Sequence, residues 1–253
     1  MYYFLSSIEI ENSGKYERHF KYVKKLRVPL PPMDVQKKIA EECEKIDAQV
    51  ERNNAVILDA ISEISATIDA LKGQRQSLKS FMTYGKGRVD YAEIAPNSYI
   101  STDNMLQNCE GVKPYEGVPN VGTVVAYQKG DILLSNIRPY LKKLWMADCY
   151  GGCSPDVLVL HNEKEDSVDS AFIYYSLRRQ EFFDYIMSDI KGMKMPRGKK
   201  ETIEKYEITL PSVEIQKEVV KKLQKLDEQI KEANQQIANA SSAKQAILDK
   251  YLK

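Results

Sequence analysis

Two long stretches of the chain return an apolar or small residue every three or four positions. The first passes through Val35, Ile39, Cys43, Ile46, Val50, Ile57, Ile61, Ile64, Ile68 and Leu71. The second passes through Ile215, Val219, Leu223, Leu226, Ile230, Ala233, Ile237, Ala240, Ile247 and Tyr251. This spacing keeps one face of a helix apolar. No Gly or Pro interrupts either stretch before Gly73. Each helix is therefore expected to run for about 40 residues, or roughly 60 Å at ~1.5 Å per residue. A narrow apolar stripe is buried only against a partner, so the two helices are expected to pair as an antiparallel coiled coil. Asn53 falls on the first seam, where a buried amide fixes register at some cost in stability.

Short alternating runs precede both helices. Leu26, Val28 and Leu30, and again Tyr206, Ile208 and Leu210, alternate as strands do. Proline then ends each run, because it lacks an N–H and fixes φ. Asp34 or Glu214 follows in the first helical turn, where the dipole favours an acid. The two passages are copies. Lys25–Lys37 aligns without a gap on Lys205–Lys217, a shift of 180 positions that carries Gln36 onto Gln216. The match continues with Ile46 on Leu226, Asp47 on Asp227, Asn54 on Asn234 and Ile57 on Ile237. A period this long marks a duplicated supersecondary unit rather than a solenoid.

The region between the copies has another texture. Gly85, Gly87, Gly111, Pro114, Gly117, Gly130, Gly151, Gly152 and Pro155 punctuate it, which predicts strands and turns. Strands are expected at Val121–Tyr127, Asp131–Ile137, Leu144–Ala147 and Asp156–Leu160, and one helix from Ser170 to Met187. The expected fold class is α+β: one mixed, strand-rich domain plus two long helices forming an antiparallel coiled coil.

Composition narrows the function. The net charge is +1, with 43% hydrophobic and 29% charged residues in 253. That sum neither suggests nor excludes a nucleic-acid partner. Because the region between the copies is slightly acidic, any cationic binding surface is local rather than a broad electrostatic blanket. No apolar run is long enough to span a membrane, and Met1–Leu5 lacks the basic leader of a signal peptide. A cytoplasmic protein with reduced thiols at Cys43, Cys109, Cys149 and Cys153 is expected. Catalytic signatures are sparse. His19 and His161 stand far apart with no nucleophile–acid pattern. Cys149 and Cys153 lack a second pair or a His to complete a zinc set. No phosphate-binding glycine loop or dinucleotide fingerprint occurs. The expectation is a non-enzyme with no catalytic residue, no cofactor and no metal. One enzymatic alternative stays open. Pro155-Asp156 followed by Asp189-Ile190-Lys191 matches the carboxylate spacing of a Mg²⁺-dependent nuclease. A coiled-coil scaffold that binds only protein is a second alternative.

Leu30-Pro31-Pro32-Met33-Asp34-Val35-Gln36-Lys37 and Leu210-Pro211-Ser212-Val213-Glu214-Ile215-Gln216-Lys217 carry a resemblance. They resemble the recurring tag that leads into the spacer helices of Type I restriction–modification specificity subunits. Tyr99–Thr102, Gly130–Ser135 and Gly192–Gly198 resemble segments of that family's target-recognition domains. A full subunit of the family holds two such domains, and one is found here, as in a truncated or half-subunit form. The resemblance implies four parts. Residues 1–32 are the tail of a missing first recognition domain, and 33–79 are the first spacer helix. Residues 80–212 are the target-recognition domain, and 213–253 are the second spacer helix. It further implies double-stranded DNA as ligand, methyltransferase (modification) subunits and a restriction/translocase subunit as partners, and a second copy or a complementary half-subunit to complete a split site.

Binding DNA requires cations for phosphates and polar groups that reach base edges. Lys191, Lys194, Arg197, Lys199 and Lys200 form an acid-free basic stretch with two glycines. Asn136, Arg138, Tyr140, Lys142 and Lys143 follow a strand; Arg can pair with guanine and Asn with adenine. Lys86 and Arg88 sit at a glycine-rich opening of the domain. These twelve residues are the expected DNA contacts.

Overall fold

The computed structural model describes residues 2–3, 29–95, 97–117, 122–188, 190 and 195–252. In chain order it contains helix α1 (Met33–Asp69), strands β1 (Gln74–Ser77), β2 (Met82–Tyr84), β3 (Arg88–Asp90) and β4 (Tyr99–Ile100). Strands β5 (Thr123–Tyr127), β6 (Ile132–Ser135), β7 (Leu144–Met146), β8 (Gly151–Cys153) and β9 (Val157–Asn162) follow. Helices α2 (Ser170–Leu177), α3 (Gln180–Met187) and α4 (Lys200–Lys205), strand β10 (Glu207–Leu210) and helix α5 (Val213–Leu252) complete the order. The chain divides into two compact units, Met1–Glu63 with Lys225–Lys253, and Ile64–Gln224.

The first unit is an antiparallel helix pair. Glu42 meets Lys250 and Tyr251, Asp47 meets Lys244, and Asn53 meets Gln236, so numbers rise on one helix as they fall on the other. Ile39, Cys43 and Leu248 are buried together, with Tyr3, Val35, Ile247, Tyr251 and Leu252 packed around them. Further along, the seam runs through Asn53 and Ala60 facing Ala233 and Leu226, all buried. Ile61, expected on the stripe, is 50% exposed. Its neighbour Ala60 holds the seam, and adjacent helical residues point about 100° apart. Ile215 is likewise exposed, while Gln216 beside it is buried.

The second unit holds the strands. Strand β1 pairs antiparallel with β10, from Gln74 opposite Leu210 to Ser77 opposite Glu207. The residue before β1 must be glycine: a Cβ on Gly73 would lie 2.3 Å from the Leu210 carbonyl oxygen. One four-stranded sheet has the order β2-β9-β6-β7, all antiparallel. A second has the order β3-β5-β8-β4, in which β4 and β8 run parallel. Ile100, Met105, Tyr127, Leu133, Val157 and Val159 form one buried cluster across these strands. Val89, Tyr99 and Val124 form another.

The helix expected from Ser170 to Met187 is two helices. Arg179 adopts an extended backbone (φ −70°, ψ 151°) between them. This turn sends its guanidinium to Asp69 Oδ1 at 2.5 Å and Glu181 Oε1 at 3.2 Å, with its side chain only 13% exposed. Asp169 caps α2 by accepting from the Phe172 amide at 2.9 Å. The two copies of the tag make the same local bond. Gln36 Nε2 donates to the Pro31 carbonyl at 2.8 Å, and Gln216 Nε2 to the Pro211 carbonyl at 2.9 Å. Gln216 also donates to Ser167 O and accepts from the Asp169 amide at 2.8 Å. Most of the expected strand before the first tag, and most of the expected domain tail at 1–32, lie outside the described residues.

Candidate nucleic-acid interface

A backbone seam brings together two of the basic clusters. After β6 the chain leaves the sheet, and the Asn136 amide donates to Asp156 O at 2.8 Å. Ile137 then forms an antiparallel bridge with Arg197. The Arg138 amide donates to Pro196 O at 2.8 Å, and the Gly198 amide to Asn136 O at 3.1 Å. Asn136 and Arg138 thus lie beside Arg197, although about 60 residues separate them in the chain. The approach is tight, since a Cβ on Gly198 would sit 3.1 Å from Asn136 Oδ1. That oxygen is buried and accepts no hydrogen bond from the described residues. A buried acceptor left open is costly unless a ligand or water satisfies it. Arg197 is exposed and donates from Nη1 to Asp156 Oδ1 at 2.6 Å.

The turn that follows is locked. Arg138 (φ 51°, ψ 62°) and Lys142 (φ 50°, ψ 50°) both adopt left-handed backbones on either side of a 3-10 turn at Pro139–Leu141. Tyr140, between them, is 51% exposed. The Lys142 carbonyl accepts from the Cys109 amide at 2.8 Å and from its Sγ at 3.3 Å. Burial pushes the Cys109 thiol up to about 11, so it stays protonated at this anchor. Lys143 turns away, and its Nζ donates to Thr102 O at 2.5 Å. Of the expected contacts, Lys143 is thus committed within the domain.

Lys199 stands immediately before α4 and Lys200 begins it. Tyr84 Oη donates to Lys200 O at 3.1 Å, and Lys200 Nζ lies 4.7 Å from the Tyr84 ring centroid. Burial raises the Tyr84 hydroxyl above its ordinary range. Lys86 is exposed in the loop after β2. Arg88, also exposed, opens β3 opposite Val125, in the other four-stranded sheet from β6. Lys191 and Lys194 lie outside the described residues, as do Asp189 and the Lys191 of the nuclease pattern. The remaining carboxylate of that pattern, Asp156, is engaged by Arg197. His161 Nδ1 lies 2.7 Å from Asp131 Oδ1, within the sheet region. Among the described residues, no group of three His, Cys, Asp or Glu is placed to hold a metal, and no helix is long and apolar enough to cross a membrane.

Arg179 and Cys109, which anchor the chain through Asp69, Glu181 and the Lys142 carbonyl, carried no signal for these roles in the sequence. Gln216 was visible as a repeated glutamine, but its bonds to residues 167 and 169 have no signal in the repeat.

Residues 72–240 match the family described as the Type I restriction modification DNA specificity domain. The chain is 24% identical over 173 residues to the Type I restriction enzyme EcoDI specificity subunit of Escherichia coli, covering 65% of this chain and 37% of that protein. It is 31% identical over 99 residues to the MjaVIII specificity subunit of Methanocaldococcus jannaschii, covering 39% and 23%. The chain therefore spans well under half the length of these relatives. Its fold is similar to that of the HsdS subunit from Thermoanaerobacter tengcongensis, with a TM-score of 0.51 and 16% identity, over 98% of this chain and 65% of that one. The Type I restriction–modification S subunit from M. genitalium is similar at a TM-score of 0.53 and 13% identity, over 87% and 59%.

Proposed function

The chain belongs to the family of Type I restriction–modification DNA specificity domains, and on that premise we propose that it reads one half of a split duplex target. The observation that carries the reading is the seam that sets Asn136 and Arg138 beside Arg197. Arginine and asparagine are the side chains best suited to two-bond contacts with guanine and adenine. Lys86, Arg88, Lys142, Lys199 and Lys200 serve in this reading as flanking contacts, mainly to phosphate, with Lys191 and Lys194 added from the adjoining segment, and Tyr140 stands among them as a further DNA contact. Lys143 contributes through the loop it holds.

The helix pair has two roles in the proposal. It spaces one half-site from a second, read by another copy of the chain or by a complementary half-subunit. It also docks methyltransferase subunits. A groove of about 420 Å³ lies along the pair, with Ala60, Leu226 and Ala233 in its lining and Asp59, Glu63 and Glu232 among its acids. Val56 and Ile61 are exposed in the same stretch. Small and apolar residues beside carboxylates and the amides of Asn53, Gln229 and Gln236 fit a partner helix with an apolar stripe and Lys or Arg flanks. The chain supplies no catalytic group in this reading. Methyl transfer from S-adenosylmethionine belongs to the docked subunits, and ATP-driven translocation and cleavage belong to a restriction subunit.

A gel-shift titration of the chain with its methyltransferase subunit tests the reading. Salt-sensitive, sequence-selective retardation of duplex DNA is expected. Retardation indifferent to sequence, or none, contradicts it.

A further inference from the structure

We propose that the Arg138–Lys142 turn is a preformed reading element and that Tyr140, at its apex, makes a contact that discriminates between DNA sequences. The proposal rests on the reading that this domain binds duplex DNA. Its starting point is the backbone. Left-handed φ is unfavourable for any residue with a Cβ, and Arg and Lys gain no local hydrogen bond that offsets it. Here two such residues, Arg138 at φ 51° and Lys142 at φ 50°, bracket one three-residue turn. Strain of this kind persists only where surrounding structure over-determines it, and it gathers at binding sites.

The surroundings do over-determine it. The Arg138 amide is held by Pro196 O at 2.8 Å, and the Lys142 carbonyl by Cys109. Cys109 is itself left-handed, at φ 59°, and buried. Pro139 is buried beneath the turn. Within the turn, the Leu141 and Lys142 amides close back on Arg138 O and Pro139 O at 2.9 and 2.8 Å. Within Pro139–Leu141 only Tyr140 is exposed.

A tyrosine so presented loses little freedom on binding, since it has only two side-chain torsions and its backbone is already fixed. Phosphate contacts made by the flanking cations favour every sequence alike, so only contacts that reach a base edge discriminate. An aromatic ring between these cations gains instead from apolar contact with a base edge, such as a thymine methyl, which differs between sequences. Tyr140 then adds discrimination to that of Asn136, Arg138 and Arg197, and the left-handed ends fix where its ring arrives.

The test uses the full chain with its methyltransferase subunit. A randomised duplex pool is enriched by the wild type, and affinities are measured for the enriched duplex and a scrambled one. Tyr140→Ala is expected to weaken binding to the enriched duplex at least tenfold and leave the scrambled one unchanged. Lys142→Gly and Lys142→Val both remove a charge, but only glycine accepts the left-handed backbone. Lys142→Gly is expected to keep the enriched preference, and Lys142→Val to lose it. Tyr140→Ala with an unchanged preference overturns the proposal. So does an equal loss in both Lys142 variants with the salt slope reduced, because the charge alone then matters. Tyr140→Ala changes an exposed side chain, so it decides the matter even if Lys142→Val melts early. A wild type that enriches no sequence overturns the DNA reading itself, and this inference with it.

Discussion

Arg197 and Asp156 form an exposed ion pair at 2.6 Å beside the bridge between Ile137 and Arg197. A phosphate or base that engages Arg197 competes with this carboxylate. The pair is solvent-screened and worth little to folding, about 0–1 kcal/mol. Its effect belongs to binding. Asp156→Asn is expected to raise affinity for duplex DNA of any sequence by about threefold, the equivalent of ~0.6 kcal/mol. Arg197→Ala is expected to weaken binding and lower the salt slope by about one. Fluorescence anisotropy across a salt series measures both.

Gln216 and Gln36 offer a comparison inside one chain. Both donate to the carbonyl five residues upstream, but Gln216 is 1% exposed and also joins Ser167 and Asp169. Removing it takes this partner from the buried Pro211 carbonyl, the Ser167 carbonyl and the half-buried amide of Asp169, the cap of α2. Gln216→Ala is expected to cost about 3 kcal/mol, and the half-buried Gln36→Ala about 1 kcal/mol. Urea denaturation of each variant checks the order. Equal losses contradict it.

The helix pair is expected to loosen in acid. Hydrogen bonds from Tyr251 and then Lys250 hold the Glu42 carboxyl below its ordinary 4.5. The bond from Lys244 holds Asp47 below 3.8. Folded values below unfolded ones stabilise fully above those ordinary values. The contribution is lost as pH falls through the lower folded values. Circular dichroism melts from pH 7 down to about 3 should show this loss. Glu42→Gln with Asp47→Asn should remove the part of the pH response that these two groups supply.

Asn53 is the polar residue of the seam, buried and bonded to Gln236 Oε1 at 3.0 Å and Gln49 at 2.9 Å. Asn53→Leu is expected to stabilise the pair by about 1–2 kcal/mol while admitting other registers. Cysteine crosslinking along the helices reads register directly. A stabilised pair with one unchanged register contradicts the assigned role.

Helix periodicity made α1 and α5 legible, because a stripe repeated over many turns outweighs local exceptions. The exceptions are single residues. Ile61 and Gln216 exchange the exposure their types predict, since packing geometry and hydrogen-bond partners decide it. Strands β5, β6, β7 and β9 followed from alternation and turn residues. Their sheet order did not, because pairing such as β6 with β9 joins segments that carry no mutual signal. The break at Arg179 depends on Asp69, over a hundred residues earlier. The candidate contacts could be named by type. That Asn136 and Arg138 meet Arg197, while Lys143 is tied to Thr102, follows only from the backbone seam and the left-handed turn.

The most direct test of sequence reading through this seam is enrichment of a randomised duplex pool by the chain bound to its methyltransferase subunit. The wild type is predicted to enrich one motif. A variant carrying Asn136→Ala, Arg138→Ala and Arg197→Ala is predicted to keep the methyltransferase subunit and enrich none. Enrichment of the same motif by that variant would contradict the account.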